Sequence, residues 1–299
     1  MATATTTARP HSAPGAHHPV RHQPTWRRRL GAAMPHLVLI GYTLVALGPI
    51  AMIVMNSMKE RRAIFSEPFR LPTAETFSLV GYQTVFERSR FELYFLNSFV
   101  VTVVSVLLVL LLGSMAAFAL SEYRFWGNTL LALYLALGIM IPIRLGTVSI
   151  LRLLVDLSLV NSLLGLILVY TAMGLPLAVF VLGLFFRQVP RDLKEAARVD
   201  GASEYWVYRL AMPLIRPGLA AIGVFTMLPI WNDLWFPLIL TPGESVRTVT
   251  LGAQLFLGQF VSDWNAVLAV LTLAMLPMLA LYIIFSKQFM RGLTQGAIK

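Results

Sequence analysis

Long apolar runs separated by short polar segments constrain this chain more than any other feature. Crossing the hydrocarbon core of a bilayer takes about 20 mainly apolar residues in a helix. Six stretches reach or approach that length: 37–55, 99–120, 130–143, 163–186, 219–240 and 266–285. Hydrophobic residues make up 57% of the chain and charged residues only 13%, unlike the balance in soluble domains. The sequence predicts an all-α protein, a transmembrane helix bundle with six spans.

The third apolar run is the weakest of the six. It is short and contains Gly138 and Pro142, so we expect it either to extend back to Phe125 and Trp126 or to be broken near one end. In the segment that follows, residues 150–157 place Arg152 and Asp156 four residues apart. This spacing predicts a short interfacial helix.

The first 34 residues differ in composition from the rest of the chain. Alanine, threonine, proline, histidine and arginine dominate them without apolar periodicity, which predicts a disordered basic tail before a single membrane domain at 35–299. Arginines 27–29 before an apolar run imitate a secretory or twin-arginine signal. No small-residue cleavage site follows, so we expect the run to be retained as the first span.

Charge and cysteine usage exclude several functional classes. The net charge is +10, but the basic residues lie between apolar runs and in the tail, which favours membrane topology over a nucleic-acid partner. An even number of spans puts both termini on one side. Lysine and arginine are more numerous in the segments that share that side, so both termini are predicted to be cytoplasmic. The absence of cysteine excludes disulfides, cysteine-ligated zinc and thiol nucleophiles.

A polar island, KEAARVDGAS at 194–203, interrupts the apolar pattern. Asp192 favours a helix start, Gly201 is placed to end that helix in a left-handed conformation, and a second helix over 204–212 stops before Pro213. One interpretation is a solvated loop in which Glu195 pairs with a neighbouring arginine, Arg191 or Arg198. The other is a surface of small side chains that docks closely on a separate protein.

Residue order favours the second interpretation. The run 195–203, EAARVDGAS, followed by PLIRP at 213–217, closely resembles the cytoplasmic signature (EAA) loop of ABC importer permeases, in particular the carbohydrate-uptake branch typified by a maltose-transporter membrane subunit. Further segments are similar to the same family: SMK at 57–59, IF at 64–65, PFRLP at 68–72, YFLNS at 94–98, WND at 231–233 and RGLTQGAIK at 291–299.

The resemblance implies a non-enzymatic subunit of a bacterial inner-membrane importer that moves a sugar or oligosaccharide by alternating access. It also implies a second homologous permease, two ATPase subunits and an extracytoplasmic solute-binding protein as partners in the lipid bilayer. The chain has no G-x-x-x-x-G-K-[ST] phosphate loop, so ATP and magnesium are expected on the ATPases, with no cofactor here. The alternatives are a permease for glycerol phosphate or a polyol, a secondary transporter, or a membrane scaffold.

In this family the loop, here about 187–217, carries a coupling helix that seats in a cleft of the ATPase. The resemblance therefore assigns ATPase coupling to six residues: Glu195, Ala196, Ala197, Asp200, Gly201 and Ala202. Glu195 would make a polar contact, the two alanines would pack closely, and Gly201 would form the turn. Asp200 would cap or brace that turn.

A second candidate site lies in the fifth apolar run, where a carboxylate costs about 2.5–3.5 kcal/mol to insert. The translocation-pathway candidates are Trp231, Asn232, Asp233 and Trp235. Asp233 is predicted either to line the pathway or to brace a helix end at an outer gate. The two tryptophans either stack on sugar faces or anchor the membrane interface. Histidines cluster only in the tail, and no spacing predicts a metal site.

Overall fold

The structure is a computed structural model that describes residues 25–257 and 262–297. Over these ranges the chain forms α-helices and no β-strand, with one isolated antiparallel bridge between Lys59 and Phe77. The helices are α1 Thr25–Ser57, α2 Arg61–Ser66, α3 Val80–Arg88, α4 Phe91–Glu122, α5 Asn128–Met140, α6 Thr147–Asp156, α7 Leu163–Gln188, α8 Arg191–Val199, α9 Glu204–Ala211, α10 Arg216–Asn232, α11 Trp235–Leu240, α12 Val249–Ala253 and α13 Trp264–Ala297.

Several of these helices are long and apolar enough to cross a membrane. Four segments of the described chain qualify by themselves: Met34–Ser57, Phe91–Glu122, Leu163–Gln188 and Trp264–Leu281. Two further pairs of helices qualify only together, because each is bent, by 91° between α5 and the segment Ile143–Asp156 and by 77° between α9 and α10. The all-α membrane fold is confirmed, with four to six crossings.

Helix boundaries differ from the prediction at two places and agree with it at a third. Helix α1 begins at Thr25, so residues 25–34 are helical, while residues 1–24 of the predicted tail lie outside the described range. The third run breaks after Met140, as Gly138 and Pro142 predicted, and α6 is the short helix expected near residues 150–157. The fifth run is not continuous, because α10 ends at Asn232 and α11 starts after a two-residue break.

The chain divides into two compact units, Met1–Ala51 and Met52–Lys299. The described part of the first unit is the greater part of α1, a single apolar helix that contains Pro35 and Pro49. The second unit holds all the other helices and both candidate sites, and the packing described below lies within it.

Helices α4 and α7 form the centre of the second unit. They approach closely because small residues face each other: a Cβ added to Gly113 would lie 2.7 Å from the Ala178 Cβ, and one added to Gly174 would lie 2.7 Å from Val109. Close backbone approach between small residues is how transmembrane helices gain packing energy, since lipid is as apolar as leucine. The α4–α7 pair is therefore the fixed frame on which both candidate sites are built.

Three apolar clusters follow α4 along its length. At one end Tyr94 packs with α3, α12 and α13, and in the middle Val101 packs with α6, α7, α10 and α11. At the other end Phe118 lies with α7, α9 and α10, and the buried Val207 and Ala211 of α9 belong to that cluster. The short helix α9 is thus part of the core and not a surface appendage.

A buried lysine organises the loop after α1. Lys59 is 1% exposed, and its Nζ donates to Asn56 Oδ1 and to the Glu67 carbonyl oxygen, each at 2.9 Å. The Lys59 carbonyl accepts a 2.7 Å hydrogen bond from Asn265 at the start of α13. Burial lowers the pKa of Lys59, against the opposing attraction of Glu67. The loop is thereby tied to α13.

Candidate functional site

The polar island folds as a helix, a turn and a second helix, as the sequence predicts. Helix α8 ends at Val199 and α9 begins at Glu204. Gly201 adopts φ +82°, its N–H donates to the Arg198 carbonyl, and the Ala202 N–H donates to the Ala197 carbonyl. This pair of bonds is the Schellman arrangement, which satisfies the last carbonyls of a helix and needs a left-handed residue. We refer to these two helices and the turn between them, residues 191–211, as the coupling loop; they lie within the predicted loop at about 187–217.

Ion pairs fasten the coupling loop to the end of α4. Lys194 is buried and contacts the Glu122 carboxylate at the last residue of α4. The Arg198 guanidinium bridges two helices: Nη2 lies 2.9 Å from Glu122 Oε1, and Nε lies 2.8 Å from Glu204 Oε1. The Tyr123 hydroxyl donates to the second Glu204 oxygen. The start of α9, the inner face of α8 and the end of α4 therefore form one network.

The electrostatics of this network keep its groups in fixed protonation states. Hydrogen bonds to Glu204 and then Glu122 raise the pKa of Arg198 above its ordinary value. Desolvation, followed by the hydrogen bond to Glu204, raises the pKa of Tyr123 to about 12. Arg198 stays charged and Tyr123 stays a donor at any physiological pH, so the contacts of these two residues do not switch with pH.

Only part of the predicted coupling set is exposed. Glu195, Ala196, Asp200 and Gly201 face outward. Among the described residues Glu195 has no hydrogen-bond or ion-pair partner, and the alternative pairing with Arg198 is wrong because that guanidinium holds Glu122 and Glu204 instead. Asp200 makes no side-chain hydrogen bond within the described chain, where backbone bonds alone brace the turn.

The other predicted coupling residues, Ala197 and Ala202, are half-buried and pack against the apolar cluster of α4, α7 and α9. The exposed face contains a residue that the sequence analysis did not single out. Val199 follows two positions after Ala197 and is 87% exposed, beside Ala196 and Gly201. Ala196, Val199 and Gly201 thus leave small and apolar groups exposed on this polar loop.

Sequence reasoning also missed Lys194, Glu122 and Tyr123. A lysine within a charged run is ordinarily solvated, and nothing local shows that this one is buried against a carboxylate. The available signal was Glu122, an acidic residue that closes the second apolar run just before a tyrosine and an arginine.

The second candidate site is the break between α10 and α11, where Asp233 bonds three groups at once. Its Oδ2 accepts from the Tyr170 hydroxyl at 2.8 Å and from the Phe236 N–H at 3.1 Å, and its Oδ1 accepts from the Trp235 N–H at 3.2 Å. The Asp233 carbonyl accepts a 2.6 Å bond from Thr250. This geometry corresponds to the helix-bracing interpretation, since both carboxylate oxygens are engaged within the protein.

The two tryptophans beside Asp233 have different surroundings. Trp231 is 3% exposed, donates to the Ala274 carbonyl at 3.0 Å and meets Phe95 edge to face. It therefore offers no face to a solute, and its prediction as a pathway residue does not fit this geometry. Trp235 is 40% exposed, its Nε1 donates to Thr147 Oγ1 at 3.0 Å, and the Arg144 guanidinium lies 5.7 Å from its ring.

Asn232 is exposed and stays available to a solute. Its Nδ2 donates to the Leu228 carbonyl at 3.0 Å, which leaves the amide oxygen as an acceptor on the surface. The surface-exposed pathway candidates in the described chain are thus Asn232 and Trp235, with Asp233 holding the break that presents them. No cluster of histidine and carboxylate residues able to hold a metal ion occurs over 25–257 or 262–297.

Comparison with known proteins decides the family. The family described as "binding-protein-dependent transport system inner membrane component" matches residues 109–295, which include the coupling loop and the Asp233 break. The chain belongs to this family. The permease is 32% identical to the diacetylchitobiose uptake system permease protein NgcG of Streptomyces coelicolor, over 90% of its own length and 89% of that protein.

Two further similarities cover nearly the whole chain. The arabinooligosaccharides transport system permease protein AraQ of Halalkalibacterium halodurans is 29% identical over 91% of the permease and 99% of AraQ. A crystal structure of a bacterial ABC transporter involved in the import of alginate superposes with a TM-score of 0.76 at 21% identity, covering 88% of the permease and 98% of that chain. This structural likeness confirms the permease fold.

Proposed function

We propose that the permease moves a sugar or oligosaccharide by alternating access, as one subunit of an ATP-driven importer. The observation that carries this proposal is the coupling loop, which combines an exposed patch of small and apolar residues with rigid attachment to α4. A surface that must receive force from another protein needs both properties. A second, homologous permease would complete the pathway.

One of two ATPase subunits would dock on the exposed patch, and the other would dock on the second permease. Ala196, Val199 and Gly201 would pack in the ATPase cleft, while Glu195 and Asp200 would make polar contacts at its edge. Ala197 and Ala202 would transmit the contact to the core of the permease. ATP and magnesium would be held by the ATPases. This arrangement puts the coupling loop and both termini in the cytoplasm and a solute-binding protein on the opposite side.

The substrate class is inferred from the relatives and from the break at Asp233. Its relatives are named for the uptake of diacetylchitobiose, of arabinooligosaccharides, and of melibiose, raffinose and stachyose. An exposed indole at Trp235 and an exposed amide oxygen at Asn232, on either side of the break, suit a polyhydroxylated ring, which offers both an apolar face and hydroxyl donors. A second candidate is a glycerol-linked sugar, since another relative is a sulfoquinovosyl glycerol permease.

The test is purification of the permease from membranes of its native cell, with mass spectrometry of the proteins that accompany it. Wild type should recover an ATPase, a second permease and a solute-binding protein. Ala196→Asp should recover at least tenfold less ATPase, because it places a carboxylate in an apolar contact. Ala74→Asp, also at an exposed alanine but in the loop after α1, is the matched control.

Equal ATPase recovery by Ala196→Asp and Ala74→Asp would disprove the docking surface. Wild-type permease recovered without any ATPase, under conditions that preserve other ABC complexes, would instead favour a secondary transporter or a membrane scaffold.

A further inference from the structure

A groove outside both candidate sites lies between α4, α5 and α7. It is a cavity of about 150 Å³ that opens to the surface. Its walls come from three helices and are mainly apolar. The lining residues are Ala117, Leu120 and Ser121 of α4, Ala132, Leu135 and Ala136 of α5, and Pro176, Val179, Phe180, Gly183, Leu184 and Arg187 of α7.

The groove follows the direction of the helices. On α7 its residues recur every three or four positions from Pro176 to Arg187, which makes it about 16 Å long at ~1.5 Å per residue. One leaflet of a bilayer has a hydrocarbon thickness of about 15 Å, half of the full core. At the Pro176 end, Gly138 brings α5 against α7: a Cβ on Gly138 would lie 3.0 Å from Pro176 Cγ. The groove is therefore about as long as one leaflet is thick, and α5 narrows it at the Pro176 end.

The other end of the groove carries a positive charge. Arg187 lies in the last turn of α7, is exposed, and has no ion pair in the described parts of the chain. No acidic residue lines the groove. A guanidinium at the headgroup level binds phosphate through two parallel hydrogen bonds, and basic residues there attract anionic lipids. Ser121 also lines the groove, but its hydroxyl donates to the Phe118 carbonyl at 3.0 Å.

We propose that this groove binds one acyl chain of an anionic phospholipid, with the lipid phosphate on Arg187. The lipid comes from the leaflet on the side of the coupling loop, because Arg187 lies only four residues before Arg191 of α8. An apolar cavity of about 150 Å³ accommodates benzene, so the groove encloses a segment of about six carbons and has no room for a second chain, while the rest of the acyl chain would lie along its open side. The lipid would pack against α7 just before the chain enters the coupling loop.

The test fills the groove with larger side chains from the permease itself. A Cβ on Gly183 meets nothing within 4 Å, so Gly183→Leu extends a side chain into the space without a backbone clash. Ala136→Leu fills the same space from α5 and guards against a folding defect specific to one variant. Gly41→Leu in α1, where a Cβ also meets nothing, is the matched control.

The purified transport complex is incubated with palmitoyl-oleoyl phosphatidylglycerol and its phosphatidylcholine counterpart in equal amounts, and retained lipid is counted by native mass spectrometry. Wild type and Gly41→Leu should retain one phosphatidylglycerol that both groove-filling variants lose. Arg187→Gln should retain lipid but lose a roughly fivefold preference for phosphatidylglycerol. Retention by Gly183→Leu and Ala136→Leu equal to wild type would overturn the site. An unchanged headgroup preference in Arg187→Gln would overturn the role of the arginine.

Discussion

Replacement of Lys194 by methionine tests whether the ion pairs hold the coupling loop in place. The Lys194 and Glu122 side chains are only 7% and 12% exposed, so the substitution leaves a carboxylate poorly solvated. Removing one member of a buried pair costs about 3–5 kcal/mol. Arg198 still contacts Glu122, so we expect the free energy of local opening of α8 to fall by about 3 kcal/mol, at the lower end of that range. Local opening of α8 should then become roughly 150 times more frequent.

Hydrogen exchange with mass spectrometry on peptides that cover α8 measures this opening directly, because amide exchange reports the population of the open state. Arg191→Met is the matched control, since Arg191 is exposed on the same helix and has no ion pair in the described chain. The double variant Glu122→Met/Lys194→Met should lose less stability than Lys194→Met alone, because no uncompensated carboxylate remains. Exchange in Lys194→Met that matches Arg191→Met would refute the buried-pair argument.

Three further substitutions follow from the geometry. Gly201→Ala should destabilise the coupling loop by about 1–2 kcal/mol, because alanine is strained at φ +82°, and should speed exchange at the end of α8. Tyr170→Phe should lower the thermal unfolding temperature, since Asp233 loses a hydrogen bond to a charged group worth about 1.5–3 kcal/mol. Gly81→Ala should lower the free energy of unfolding by about 1–3 kcal/mol, because the new Cβ would lie 2.3 Å from the Asn265 carbonyl oxygen.

Two further substitutions in the same chain serve as controls, one for the added methyl groups and one for the removed hydroxyl. Gly183→Ala adds the same methyl group inside α7 where space is open, so it should not lower the unfolding temperature; a fall would indicate a general intolerance of added methyl groups. Tyr134→Phe removes an exposed hydroxyl on α5, so a fall in the unfolding temperature as large as that of Tyr170→Phe would argue against the brace at Asp233.

Local chemistry explains what the sequence could predict. Span length predicts membrane helices because a bilayer leaves a backbone few ways to satisfy its hydrogen bonds. Gly201 predicts the end of α8 because only glycine readily adopts a left-handed conformation. Pro142 predicts the break after α5 because proline removes a donor and disfavours a helical residue before it. Each of these effects acts within a few residues along the chain.

The missed features depend on residues far apart in sequence. The break at Asp233 is stabilised by Tyr170 on another helix, and hydropathy alone makes the run 219–240 look continuous. Lys194 is buried because α4 ends beside it. Trp231 and Trp235 are the same residue type four positions apart, yet α13 covers only the first. Partners of this kind cannot be identified from one sequence by periodicity or propensity.

The coupling loop is attached by ion pairs at α8 and by apolar packing at α9, and these two kinds of contact resist different displacements. Charged groups tie α8 to the end of α4, while α9 is wedged by apolar side chains among α4, α7 and α10. Directional ion pairs resist being pulled apart, and close-packed side chains resist compression. A displacement of the Gly201 turn, inward or outward, therefore reaches the same stiff α4–α7 pair. In the proposed importer, the loop would therefore transmit motion both towards and away from the membrane.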